Sequence, residues 1–324
     1  MRIYLGIDIG GTNVKVAAVG ATGKVHSRGM LDTRAGDGPR KAFRRIAAAA
    51  ATVTGFRGDV EIAAAGVGCA GLVDPVGGRL HSSANLPAWE NSPLKRIAER
   101  QFGVYTIVDN DANCAAYGEF RAGACRGVAN LVFITLGTGV GGGVIVDGSV
   151  LRGAGNYAAE IGHMAVSDGG PLCRCGNRGC LEAYVGSYGL IRTARTLLKE
   201  KNAGILSRWV SRDRRSLTPQ LIFEAARRRD PAARAVVKDA GIRLGTGVAS
   251  LVNIFNPDAV VIGGGVAGSF DQLRPYVERA VSRRAFPESG TMVRIEASEL
   301  GNDATAVGAA MMAADGCGRR GRAA

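Results

Sequence analysis

The sequence predicts an α/β protein built by duplication, on three observations. The chain opens with strand, Gly turn and strand in "GIDIGGTNVKVAAV", and "ITLGTGVGGGVIV" repeats that pattern about 130 residues later. Helices and further strands follow each hairpin. With 324 residues and 46% apolar content, the chain is long enough for two domains or one large α/β unit.

Each element follows from local signals. Apolar β-branched residues flank Gly10-Gly11-Thr12 on both sides, and Ala21-Thr22-Gly23 turns the second strand into a third. "RKAFRRIAAAAATV" reads as a helix and "VEIAAAGVGCAG" as a strand. "SPLKRIAERQF" reads as a helix with Ser92 as its cap and Pro93 just inside. In "VYTIVDNDANCAAYGEF" a strand ends in acidic and amide residues before a helix. The second hairpin leads through Asp147-Gly148 into another strand. "LIRTARTLLKEK" and "LIFEAARRRDPAARAVVKDA" are amphipathic helices. "AVVIGGGVAGSF" joins a strand to a helix through a third Gly loop, and the tail "GCGRRGRAA" is expected to fray.

Composition excludes several classes. The net charge of +13 raises nucleic acid as a partner, but +9 of it lies between Leu190 and Gly245, on the faces of amphipathic helices. Only two aromatic residues, Trp209 and Phe223, lie in that stretch, too few for a base-stacking surface, so no nucleic-acid partner is expected. No apolar run is long enough to span a bilayer, and "MRIYLGIDIGG" meets a Gly turn rather than a cleavage site. No membrane partner and a cytoplasmic location are therefore expected. The seven cysteines read as reduced thiols.

Glycine loops suit phosphates because the backbone approaches closely and aims N–H groups at the oxygens. Thr12 and Thr138 sit at the tips of two such loops and add hydroxyl donors. "GGGVAG" at 263–268 formally matches a dinucleotide fingerprint, which raises an NAD(P)- or flavin-linked oxidoreductase as the rival reading. The match lies late, the earlier Gly loops lead into strands rather than helices, and no strand ending in an acidic residue follows about twenty residues on.

Together, "GIDIGGT", "LGTGVGGG", "IGGGV", "NDANC", "EIGH" and "CRCGNRGCLE" resemble the ROK family of repressors, uncharacterised proteins and sugar kinases, from about Leu5 to about Ala313. The resemblance implies a ribonuclease H-like fold of the actin/hexokinase type, with two domains around a cleft. The smaller would span 1–116 plus a returning helix at 303–316, and the larger 117–302. Repressor members carry a DNA-binding segment before the kinase-like core. Here the first strand starts at Ile3, so an enzyme is expected rather than a regulator. A sugar-sensing protein without catalysis is the other alternative. Ala159 stands where members often have Gly, and Ala70 where many have Pro.

The resemblance also implies site residues. Asp111 would be the general base that takes a proton from a sugar hydroxyl; read locally, it is equally a helix cap. Its neighbours Asp109 and Asn113 compete for the role. Asp8 would orient Mg²⁺ through water, and ATP would meet Gly10, Gly11, Thr12, Gly137, Thr138, Gly139, Gly263, Gly264 and Gly265. Asn85, Asn110, Glu160, His163 and Glu182 would contact the hexose, with Trp89 either shielding the sugar or packing. Glu160 and His163, spaced i, i+3, share a face on a helical turn. Glucose at its 6-hydroxyl is the expected acceptor, with N-acetylglucosamine, N-acetylmannosamine, mannose and fructose as alternatives. A homodimer is expected.

His163, Cys173, Cys175 and Cys180 supply one imidazole and three thiolates, a set suited to structural zinc. The spacing is not that of a common zinc finger but resembles the ROK zinc loop. A redox pair is disfavoured because Cys173 and Cys175 lack the two-residue spacer.

Overall fold

The structure, a computed structural model, describes residues 1–55, 60–200, 204–211 and 217–323. Lys201, which ends the first basic helix read from sequence, and Ala324 of the tail lie outside these. The chain runs β1 (Arg2–Ile9), β2 (Asn13–Val19), β3 (Val25–Asp32), α1 (Pro39–Thr54), β4 (Glu61–Cys69), β5 (Leu72–Asp74), β6 (Arg79–Ser82), α2 (Leu94–Phe102), β7 (Thr106–Asn110) and α3 (Asp111–Ala122). It continues through β8 (Leu131–Leu136), β9 (Val140–Val146), β10 (Ser149–Val150), α4 (Glu182–Val185), α5 (Ser187–Glu200), α6 (Ile205–Val210), α7 (Pro219–Arg227) and α8 (Pro231–Phe255). It ends with β11 (Ala259–Gly263), α9 (Phe270–Arg284), α10 (Pro287–Met292), β12 (Arg294–Ala297) and α11 (Ala304–Ala323). No helix among the described residues is long and apolar enough to cross a membrane.

Two five-stranded sheets have matching orders, β3-β2-β1-β4-β7 and β10-β9-β8-β11-β12. In the first, β1–β2 and β2–β3 are antiparallel while β1–β4 and β4–β7 are parallel. The second repeats this, with β9–β10 antiparallel and β11–β12 parallel. The duplication read from the two hairpins is therefore a duplication of topology. The chain divides into two compact units, one of Met1–Phe133, Gly143–Ala159 and Ser298–Ala324, the other of Ile134–Gly142 and Glu160–Ala297.

In the first unit the two-residue period of β1 sorts its faces. Leu5, Ile7 and Ile9 are fully buried in one cluster with Phe43 and Ile46 of α1 and with Trp89. Burying each large apolar side chain contributes about 1.5–3 kcal/mol. Gly6 faces the other way, onto α11, where a Cβ would lie 2.0 Å from the Ala306 carbonyl oxygen. Gly308 of α11 meets the Cys114 carbonyl of α3 in the same manner, at 1.6 Å. The returning helix thus lies backbone to backbone on sheet and helix, which any side chain at these positions would forbid.

Two local expectations change. Ser92 is not the cap of α2: Pro93 holds that position without a side-chain bond, because Ser92 pairs in an antiparallel bridge with Leu80. Nor does the tail fray at Gly316. α11 continues because Gly316 lets the helix pack on the Tyr105 ring, 2.8 Å from its hydroxyl to a would-be Cβ.

Candidate active site

The register of the first sheet aligns Asp8 with Gly68 and Asp109, and Ile9 with Cys69 and Asn110. The carboxyl ends of β1, β4 and β7 thereby bring Asp8, Asn110 and Asp111 to one edge, where ligands gather in open α/β sheets. Both acids act on one buried thiol: burial first, then the Asp111 and Asp8 charges, push the Cys69 pKa up. Asp8 lies 3.3 Å from the Lys15 ammonium. Burial raises the Asp8 pKa, and the Lys15 charge opposes that shift.

Beside this edge, the Gly10 N–H donates to the Asn13 carbonyl and closes the first Gly loop. Thr12 is exposed at the tip. Fully buried Thr33 holds the loop twice: its N–H donates to the Thr12 carbonyl at 2.8 Å and its hydroxyl to the Gly10 carbonyl at 2.7 Å. Gly11 has no room for a side chain, since a Cβ would lie 2.8 Å from the Asn85 Cβ. Trp89 packs: it is fully buried against Phe43 and donates from Nε1 to the Ala35 carbonyl at 3.0 Å.

Asn110, not Asp111, caps α3. Its Oδ1 accepts from the Ala112 and Asn113 N–H groups, and its Nδ2 donates to the Gly71 carbonyl. Asp111 is the first helical residue, and its Oδ1 accepts from the Ala112 N–H at 3.0 Å. Asp109 is buried below them. It accepts from the Asn110 N–H at 2.8 Å and from Asn113 Nδ2 at 3.2 Å, and pairs with Arg152 at 2.6 Å. Arg152 and Thr33 escaped the sequence reading; each is remote in sequence from the group it holds, and neither stands in a recognisable motif.

In the second unit the Gly137 N–H donates to the Gly139 carbonyl, with Thr138 exposed at the tip. The Ser187 N–H and hydroxyl both donate to the Gly137 carbonyl. Glu182, 9% exposed, accepts from the Val140 N–H at 3.0 Å, and a Cβ on Gly139 would lie 2.3 Å from its Oε2. Its other oxygen accepts from the Tyr188 hydroxyl at 3.2 Å and lies 3.7 Å from the Cys173 sulfur. The third Gly loop sits at the base of the second: Gly264 has φ +86°, and a Cβ there would lie 2.5 Å from the Leu136 carbonyl oxygen. Gly263 ends β11, and Gly265 is exposed. Contact with a neighbouring strand explains Gly264, and 263–268 leads from β11 through a short turn at Ala267–Ser269 into α9.

His163, Cys173, Cys175 and Cys180 converge, with their ligand atoms all within 4.8 Å of one another. His163 Nδ1 lies 3.7 Å from the Cys173 sulfur, and the Cys175 and Cys180 sulfurs are 3.7 Å apart. A tetrahedron of ~2.3 Å metal–sulfur bonds has edges of about 3.8 Å, so the set fits zinc. The N–H of Asn177 lowers the Cys175 pKa, while burial pushes Cys180 up to about 12. Gly179, at φ +75°, passes so close to Ser167 that a Cβ would lie 1.8 Å from its carbonyl oxygen. Glu160 and His163 flank a single 3₁₀ turn, with His163 Nε2 4.0 Å from the Glu160 carboxylate. The preceding Ala159 has φ +68°, a conformation that favours glycine.

Paired sheets of like topology with Gly hairpins define an α/β protein of the actin/hexokinase class. A profile of the ROK family matches residues 4–316, and the chain belongs to that family. It is 35% identical to a glucokinase of Halalkalibacterium halodurans over 95% of this chain and 93% of that one. It is 31% identical to a putative xylose repressor of a Caldicellulosiruptor species, over 96% of this chain and 77% of that one. Among solved structures it resembles a ROK glucokinase of Streptomyces griseus in complex with glucose and AMPPNP, with a TM-score of 0.82 and 33% identity, covering 97% and 99% of the two chains.

Proposed function

We propose that the protein is an ATP-dependent glucose kinase acting on the 6-hydroxyl, with Asp111 as general base. The observation that carries this is the placement of Asp111 at the carboxyl edge of the parallel strands with Asp8, while Asn110 takes the capping role. The glucokinase relatives support the donor and the sugar.

Phosphoryl transfer needs positioned phosphates, charge neutralisation and an acceptor for the hydroxyl proton. Thr12 and Thr138 supply hydroxyl donors beside the loop N–H groups, and Gly263–Gly265 line the nucleotide. Asp111 accepts the proton as the sugar oxygen bonds to phosphorus. Asp109, paired with Arg152, holds the backbone N–H of the preceding Asn110. Asp8 would hold Mg²⁺, and the ion would supply neutralisation of phosphate charge. Asn85, Asn110, Glu160 and His163 bind the sugar, and Glu182 holds the Val140 N–H of the second Gly loop. His163 and the three cysteines would hold a structural zinc, and His163 Nε2 faces Glu160. A cytoplasmic homodimer completes the reading.

The test is coupled ADP release with glucose, N-acetylglucosamine, N-acetylmannosamine, mannose and fructose. Turnover is expected with glucose, ATP and Mg²⁺. Sugar binding without ADP release for any of the five would identify a sensor instead.

A further inference from the structure

We propose that a cavity of about 590 Å³ between α1 and α2 binds a small anion carrying several phosphates. The volume lies in the range of small-molecule sites. Arg40, Lys41 and Arg44 of α1 and Arg96 and Arg100 of α2 line it, against the single acid Asp37. Asp37 is already taken, since Arg45 pairs with it at 2.6 Å. None of the five cations makes a side-chain hydrogen bond, ion pair or ring contact among the described residues. Other arginines of the same unit have carboxylate partners, Arg28 with Asp303, Arg121 with Asp315 and Arg152 with Asp109.

Five unpaired like charges around one concavity repel one another and concentrate anions there. Arg96 and Arg100, four apart, present their guanidinium groups along one helix face. A single phosphate would neutralise a minority of the five charges; linked or multiple phosphates match them. The lining residues include no aromatic side chain, which removes the stacking platform a single-stranded nucleic acid uses.

The rim of the cavity reaches the first Gly loop. Arg45 pairs with Asp37 and also donates to the Thr33 carbonyl at 2.7 Å, and Thr33 holds Gly10 and Thr12. Occupancy therefore shifts the KM for ATP, a consequence that rests on the kinase reading; binding itself does not.

The probes are orthophosphate, inorganic tripolyphosphate and long-chain polyphosphate. Each is titrated calorimetrically at fixed ionic strength, with a non-hydrolysable ATP analogue saturating the nucleotide loops. Tripolyphosphate is expected to bind near one per chain, more tightly than orthophosphate. Arg40→Ala/Arg96→Ala/Arg100→Ala should weaken it at least ~10-fold, a figure discounted for the exposure of each contact. Arg279→Ala/Arg283→Ala/Arg284→Ala, the same charge change on α9, should stay within ~2-fold. Equal loss in both variants, loss of binding when the analogue is present, or tighter binding of a short single-stranded RNA at the same residues overturns the site. Long-chain polyphosphate binding no tighter per chain than tripolyphosphate identifies the short anion as the ligand; much tighter binding identifies a polymer and overturns the small-anion assignment. An ATP KM unchanged by tripolyphosphate in an active enzyme overturns the coupling alone.

Discussion

The Gly10–Thr12 tip is held from within its own sheet, by Thr33 just beyond β3, whereas the Gly137–Gly139 tip is held by residues that follow the Cys/His loop. One design thus has two kinds of brace. The first is local and neutral, two bonds from one threonine. The second runs through a buried carboxylate whose other oxygen faces Tyr188 and the Cys173 sulfur. The thiol cluster thus sits one contact away from the second Gly loop as well as next to Glu160. Damage to the cluster should therefore appear in the use of ATP, where the sequence alone pointed to the sugar.

The largest expected effect serves as a reference that touches neither brace. Asp111→Asn should cut kcat ~10²–10⁴-fold with both KM values changed little. Near-normal turnover would take Asp111 out of the chemistry.

The two braces are then set against each other. Glu182→Ala leaves the buried Val140 N–H without its acceptor, a cost of about 1–3 kcal/mol, and should raise the ATP KM ~10-fold or more. Thr33→Val removes one hydroxyl bond, about 1 kcal/mol, and should raise it ~5-fold. Equal effects would mean the carboxylate brace is no stronger than the threonine.

Cys175→Ser tests whether the cluster feeds the second brace. Metal analysis should find about one zinc per wild-type chain and little in the variant. Both the sugar and the ATP KM should rise; a change in the sugar KM alone would uncouple Glu182 from the cluster.

Asp8 offers a pH test at the first loop. Its folded pKa is raised, so the stability it contributes is full below its unfolded pKa and is lost as pH rises through the folded value. Asp8→Asn carries no charge to desolvate, so its Tm advantage over wild type should be larger at pH 7 than at pH 4. A constant difference would mean the burial cost is negligible. The smallest effect is Ala159→Gly, which should relieve left-handed strain of about 1 kcal/mol and raise Tm slightly. A lower Tm would show that the alanine side chain contributes more than the strain costs.

Much of the molecule was legible because its signals are local. Period-two strands around Gly turns, the repeat of one hairpin and the crowding of His163 with three cysteines all lie within short windows of sequence. Caps were less legible. "VDNDAN" contains several residues able to cap, and only the backbone of Asn110, extended where Asp111 is helical, decides between them.

The duplicated α/β design, the three Gly loops and the cluster of His163 with three cysteines can be read from short stretches of chain, because each depends on residues close together along it. Tertiary structure alone decided which groups hold them: Arg152 on Asp109, Thr33 on Gly10, Glu182 on Val140, and α11 laid against Gly6. The physical reason is that a hydrogen bond or close contact between residues 23 to 300 positions apart leaves no periodicity in the sequence. It exists only once the sheet order has brought its two ends together.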